Sequence, residues 1–173
     1  MKRKDQAFYN GIFLGIILVV FALVLSYVNP RMFLASQSFL LLVPFVIVLI
    51  KNAFDQRRLN DGFISFKSLF KYSYICALTA ISIYSFFEYF LYNHIFSDLV
   101  NIYREISYEA LNEMKGTFGE AMIEKSMEEI EKDNFYGVYY IIMLFLRRLI
   151  APCLILSLII SGMFKKSELK TNT

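Results

Sequence analysis

The stretch from Phe135 to Phe164 limits what this chain can fold into. Its thirty residues contain only two charged side chains, those of the adjacent Arg147 and Arg148. A helix needs roughly 20 apolar residues to cross a bilayer, so this stretch is long enough to span. Charged side chains at that depth are costly and normally face protein or water. The stretch therefore predicts a membrane helix whose arginines need a partner or an exit to the interface.

The composition of the whole chain also indicates a membrane protein. Hydrophobic residues make up 57% of the 173 residues and charged residues 19%, against about 45–50% and about 25% in soluble domains. Cys76 and Cys153 lie within apolar runs, which favours buried, inert thiols over a disulfide or a metal pair. We expect an all-α fold, a four-transmembrane-helix bundle, with residues 1–173 forming a single membrane domain.

Apolar runs and polar breaks place the elements of this bundle. An acidic, amphipathic helical segment, about 97–145, is expected on the outer, periplasmic side between the third and fourth spans. The predicted spans are 8–28, 33–50, 68–93 and 146–164.

Small residues follow one face of the first span. Gly11, Gly15, Ala22 and Ser26 recur at helical spacing, and the Gly-x-x-x-Gly pattern lets two helix backbones approach closely. We expect this face to pack against protein, either inside the bundle or in a second copy of the chain.

Two prolines are expected to bend their spans. A proline inside a helix lacks the N–H that would bond to the carbonyl four residues earlier. Pro44 therefore predicts a bend in the second span, and Pro152 predicts one beside Arg148.

The charge of the connections predicts the orientation. The connection 51–71 carries five basic and two acidic residues, a net charge of +3, whereas 97–134 carries ten acidic and four basic ones, a net charge of −6. Basic loops concentrate on the cytoplasmic side, so both termini are expected there. Basic residues also bind RNA, but orientation and headgroup contact account for this loop, and we expect no nucleic-acid partner.

Glu88 is the only acidic residue within the four predicted spans. An ionisable residue at such a position is a functional candidate that normally has a partner. Glu88 lies 17 residues from Lys71 and Arg148 lies 17 residues from Lys165, which places both at about 25 Å from the inner end. We therefore predict an ion pair of Glu88 with Arg147 or Arg148. The alternative is that both arginines mark the outer membrane boundary.

No motif for catalysis or for a cofactor is present. The sequence lacks a phosphate-binding loop, a His-Glu-x-x-His motif and a Cys-x-x-Cys pair, and His94 is its only histidine. The acidic segment lacks the spacing of a calcium loop. We expect no metal, no cofactor and no enzymatic activity.

Two short motifs and the order of elements resemble a known family. The motifs are DGFISF at Asp61–Phe66, entering the third span, and IISGMFKK at Ile159–Lys166, ending the fourth. With the basic first span and the acidic outer segment, the chain resembles domain-of-unknown-function family 4199. That resemblance implies a bacterial inner-membrane protein without an assigned activity, and it supplies no catalytic residues.

Three functions are compatible with these features. The first is a non-enzymatic scaffold or subunit of an envelope complex, which binds a membrane-protein partner or a second copy through the periplasmic helices. The second is a small transporter or channel component with a polar site at Glu88, Arg147 and Arg148. The third is an accessory factor of an envelope enzyme or a lipid-binding protein of weak specificity. In each, the lipid bilayer is itself a partner.

Overall fold

The computed structural model describes residues 3–132 and 137–166, which are almost entirely helical, and no strand occurs in these two ranges. The predicted outer segment 97–145 includes residues 133–136, which lie outside the described residues. In chain order the elements are α1 (Arg3–Val28), α2 (Pro30–Arg58), α3 (Phe66–Phe90), a π-helical segment (Leu91–Ile95), α4 (Asp98–Glu113), α5 (Lys115–Phe118), α6 (Glu120–Lys132), α7 (Val138–Arg148), a second π-helical segment (Leu149–Leu154) and α8 (Ile155–Phe164).

Three continuous helices are long and apolar enough to cross a membrane: Lys4–Val28, Phe66–Ile95 and Val138–Phe164. The two parts of α2, Pro30–Ser36 and Leu41–Arg58, make a fourth if they count as one bent span. The all-helical class is thus confirmed, with three to four candidate spans. The last helix begins at Val138, eight residues before the predicted start, because α7 continues into the π-helical segment without a break.

The bend in α2 precedes Pro44 by about one turn. The parts of α2 on either side of residues 37–40 are inclined at 60°. Pro44 has no N–H for the carbonyl of Leu40 and its ring crowds that carbonyl, which accounts for a break on the N-terminal side of the proline.

At one end of the bundle, the chain joins α3 to the end of α8. The backbone N–H of Ile64 donates to the carbonyl of Lys166 over 2.8 Å, and the N–H of Lys166 donates back to Ile64 over 3.0 Å. Ile64 is buried, and Ser65 caps α3 by accepting from the N–H of Ser68. This end carries the basic connection between α2 and α3, and we refer to it as the basic end.

At the opposite end, α4 is fastened to the start of α2. Nη1 and Nη2 of Arg31 donate to the carboxylate of Glu109, and Nη2 also donates to Glu105 over 3.3 Å. The ring of Tyr27 stacks on Phe96 with 5.5 Å between centroids. The helices α4–α6 therefore extend the bundle at the end away from the basic loop.

Helix α6 packs against α4, so the acidic segment is a hairpin. Tyr108 of α4 faces Glu131 of α6, and partial burial together with that carboxylate raises the pKa of the Tyr108 phenol. Ile123 is buried on the inner face of α6. Most carboxylates of the hairpin stay exposed to solvent.

The glycine face of α1 packs against α3. A Cβ built on Gly11 would lie 2.7 Å from the carbonyl oxygen of Cys76, and one on Gly15 would lie 2.9 Å from Cβ of Ile83. Ala22 and Ser26 are fully buried further along α1. The structure thus places the small residues inside one chain, where the helix backbones come close.

The substitution Gly11→Ala is expected to destabilise the protein by about 1–3 kcal/mol, because the added methyl group overpacks a rigid backbone contact. Thermal unfolding in detergent measures the change. Gly162→Ala is the matched control, since no atom lies within 4 Å of its added Cβ. Equal losses in the two variants would contradict the close packing of α1 on α3.

Candidate functional site

Glu88 and Arg148 form an ion pair between α3 and the end of α7. Nη2 of Arg148 donates to Oε1 of Glu88 over 2.9 Å, and Nη1 donates to Oε2. Glu88 is 0% exposed, and the Arg148 side chain is 19% exposed. The contact is bidentate, the geometry in which a planar guanidinium binds a carboxylate most strongly and with a fixed orientation.

The helical period of α3 arranges aromatic rings around this pair. Tyr84 and Tyr92 lie one turn before and one turn after Glu88, and both are buried. Cζ of Arg148 lies 5.2 Å from the centre of the Tyr84 ring, a cation–π distance. Tyr92 is also close enough to act electrostatically on Arg148. The tyrosine rings therefore enclose the pair and exclude water, and their hydroxyls add polar groups beside it.

Tyrosines from the last helix and the acidic hairpin complete the surroundings. Tyr140 of α7 interacts electrostatically with Glu88 and makes a hydrogen bond with Tyr103 of α4. This contact links the buried pair to the hairpin. Glu88 and the two arginines were predicted from the sequence, whereas Tyr84, Tyr103 and Tyr140 were not. Tyr84 was detectable, because it lies four residues before Glu88, whereas the other two enter through tertiary contacts.

Local structure explains how the last helix presents Arg148. The π-helical segment Leu149–Leu154 contains Pro152, the residue predicted to bend this helix. A π-helical turn is a common way for a helix to absorb an irregularity, and such turns are frequent at functional sites. The turn begins at the residue after Arg148, so the backbone irregularity and the buried charge are adjacent.

Arg147 has a different environment from Arg148. Its side chain is exposed, and within residues 3–132 and 137–166 no carboxylate lies at ion-pair distance from it. Adjacent residues of a helix point about 100° apart, so only one of the two arginines can face Glu88. The structure assigns that contact to Arg148.

A cleft of about 470 Å³ lies beside the pair, between α1, α2, α3 and the last helix. Arg147 and Arg148 line it together with Pro152, and the remaining lining is apolar apart from the Tyr84 hydroxyl. The apolar walls include Leu18, Phe45, Ile81, Ile155 and Leu156.

A second polar cluster, in which Asn10 and Asn52 are buried, lies at the basic end and was not predicted. Nδ2 of Asn10 donates to Oδ1 of Asn52 over 3.0 Å and to Oδ2 of Asp55 over 3.1 Å. Lys51 donates to the same Asp55 oxygen over 2.6 Å and to Asn10 over 3.2 Å. The cluster connects α1 to α2. The sequence contains little sign of this cluster, because asparagines near the end of an apolar run are also common where a helix meets the membrane–water interface.

The remaining candidates form no metal site. Among the described residues, no group of three or more histidine, cysteine, aspartate or glutamate side chains is placed to hold a metal ion. Cys76 and Cys153 are buried free thiols. His94 is exposed and makes ring contacts with Tyr89 and Phe90.

The ion pair of Glu88 and Arg148 holds α3 against α7, and we refer to it as the clasp. Both carboxylate oxygens accept from one guanidinium, so the two charges neutralise each other where water is excluded. Removing one partner of such a pair leaves an uncompensated buried charge, which costs about 3–5 kcal/mol.

We therefore expect Glu88→Gln and Arg148→Gln each to lower the stability strongly, and the double variant to lose less than the sum. The coupling energy should fall at about 0.5–3 kcal/mol, as for residues in direct contact. Thermal or denaturant unfolding of the full chain in detergent measures it. The cycle of Glu88→Gln with Arg147→Gln is the control and should be additive. Additive losses for Arg148 would show that no clasp exists.

Comparison with known proteins identifies a family. The family described as "Protein of unknown function (DUF4199)" matches residues 9–166, which include every candidate span except the first six residues of α1. No curated protein and no solved structure matches the chain. The resemblance inferred from the two motifs and the order of elements is thereby confirmed: the chain belongs to the DUF4199 family.

Proposed function

We propose that the protein is a non-enzymatic, multi-pass protein of the bacterial inner membrane that serves as a scaffold or subunit of an envelope complex. Helices α4–α6 lie on the periplasmic side and bind the partner, which is a membrane protein or a second copy of the chain. Both termini are cytoplasmic. The observation that carries the proposal is an acidic hairpin fastened to the end of an apolar bundle, with its charged face left open.

The outer surface of the bundle supports a membrane location. Large apolar side chains point away from the protein along the candidate spans, for example Phe39 with 80% of its surface exposed. Val43, Ile47 and Ile150 are exposed in the same way. Soluble monomers rarely expose contiguous apolar patches of more than a few hundred Å², whereas lipid tails solvate such a surface.

The separation of charge supports the orientation. The basic connection between α2 and α3 and the end of α8 lie together at one end, and the acidic hairpin lies at the other. The described hairpin, residues 98–132, carries nine acidic and four basic residues, a net charge of −5. Cytoplasmic loops carry the excess of lysine and arginine, which favours the acidic end as the periplasmic one.

The hairpin has the features of a binding surface. Arg31 and Tyr27 fix its position, so a partner would meet a surface that is already ordered. Met114 and Met122 are exposed beside the carboxylates, and methionine adapts well to the shape of a bound protein. Exposed carboxylates steer a basic partner toward the hairpin and select its orientation.

A transporter or channel component that uses Glu88, Arg147 and Arg148 is the second candidate, favoured by the cleft beside the ion pair. The clasp argues against this function, because Glu88 and Arg148 neutralise each other and hold α3 to α7. A transport site would have to break this contact in every cycle.

A photo-crosslinking amino acid at Met122 is expected to capture a protein partner in native membranes. The same amino acid at Met163 is the matched control, since both methionines are exposed, with 59% and 72% of their surface accessible, but Met163 lies on α8. Glu120→Lys together with Glu124→Lys should lower the crosslink yield at Met122 on the order of tenfold, because the steering charge is reversed. Yields are read by quantitative mass spectrometry. A crosslink that is equally strong in the lysine variant, or none above the Met163 control, would overturn the proposal.

A further inference from the structure

The cleft beside the clasp combines an apolar wall with the guanidinium of Arg147. Its volume of about 470 Å³ lies within the roughly 300–1,000 Å³ of sites that hold a small molecule. The aliphatic and aromatic side chains that line it come from α1, α2, α3 and α8. Such a wall suits a hydrocarbon chain and offers few hydrogen bonds to a polar solute.

The two arginines at the cleft differ in the charge that they leave for a ligand. Glu88 neutralises Arg148 through the bidentate contact. Arg147 keeps its full charge, because among the described residues no carboxylate pairs with it. The cleft therefore presents a net positive charge, and a neutral occupant would leave the Arg147 guanidinium without a counter-ion.

The position of Arg147 along the last helix places this charge near a membrane surface. It lies 18 residues from Lys165, or about 27 Å at about 1.5 Å per residue, close to the full thickness of roughly 30 Å of a hydrocarbon core. A headgroup at Arg147 would thus lie at the outer interface, and its chain would extend along the apolar wall. Basic pockets between membrane helices bind anionic headgroups in this way.

We infer that the cleft is a binding site for one anionic phospholipid, whose phosphate pairs with Arg147 and whose acyl chain lies against α2, α3 and α8. The inference rests on the membrane location in the proposed function. It assigns to Arg147 a role that the clasp does not give it: Arg148 holds the helices together, and Arg147 selects the lipid.

Native mass spectrometry of the purified full chain in detergent tests this site. Phosphatidylglycerol and phosphatidylcholine with the same acyl chains are titrated in turn. Both lipids carry the phosphate, but the trimethylammonium of phosphatidylcholine offsets its charge beside Arg147. The wild type is therefore expected to bind one phosphatidylglycerol about tenfold more tightly than phosphatidylcholine. Arg147→Gln should abolish this preference, and weaker but equal binding of the two lipids also shows that the variant is folded.

Two further variants separate the cleft from lipid around the bundle. Ile155→Trp places a larger side chain in the cleft and should weaken the binding of both lipids. Arg58→Gln removes an exposed arginine at the basic end and should leave the preference intact. An unchanged preference in Arg147→Gln, or an equal loss in Arg58→Gln, would overturn the inference. Displacement of phosphatidylglycerol by inorganic phosphate alone would also overturn it, because it would show a site for the headgroup without the chain.

The outcome does not depend on the binding partner of α4–α6, since the titration contains the purified chain and lipid only. A wild type with no Met122 crosslink above the Met163 control but with an intact lipid preference would refute the scaffold and keep the lipid site. A wild type with the Met122 crosslink but no lipid preference would keep the scaffold and refute the lipid site.

Discussion

The contact between Glu88 and Arg148 is the interaction on which the arrangement of the helices depends. It joins α3 to the last helix in the protein interior, where neither ion could stay unpaired without a large desolvation cost. The rings of Tyr84 and Tyr92 close around it, and Tyr140 extends the contact to Tyr103 in the acidic hairpin. The buried ion pair thus has contacts in both the bundle and the hairpin.

Close backbone packing holds α1 against α3, a contact to which the ion pair does not contribute. In lipid, apolar side chains gain little by leaving their surroundings, so helices associate through shape and polar contacts. Gly11 and Gly15 let α1 lie directly against α3, and the amides of Asn10 and Asn52 join α1 to α2 at the basic end. Each end of the bundle therefore has its own polar fastening, with small residues between them.

The division of labour between the two arginines links the architecture to the proposed activities. Arg148 is paired with Glu88, whereas the guanidinium of Arg147 lines the cleft and can bind a ligand. A lipid held there would lie against α2 just past its bend and against the π-helical segment around Pro152. The proposed scaffold function depends on a different feature, the acidic hairpin, which Arg31 contacts through Glu105 and Glu109.

The sequence by itself determined the helical class and the family. It also located the apolar runs that form the three to four candidate spans, because a bilayer demands long apolar runs and those are visible without any tertiary contact. It also narrowed the partner of Glu88 to two arginines, since equal spacing from the basic ends implies equal depth. Only the tertiary structure decided between them, because the choice depends on how the last helix is rotated about its axis. The start of that helix at Val138, the tyrosines around the pair and the cluster at Asn10 were likewise decided by contacts between elements distant in the chain. Helical period and hydropathy show which face of a helix is apolar or lined with small residues, but not which face of another helix it meets. The last helix could therefore be located from the sequence, whereas its contacts with the other helices could not.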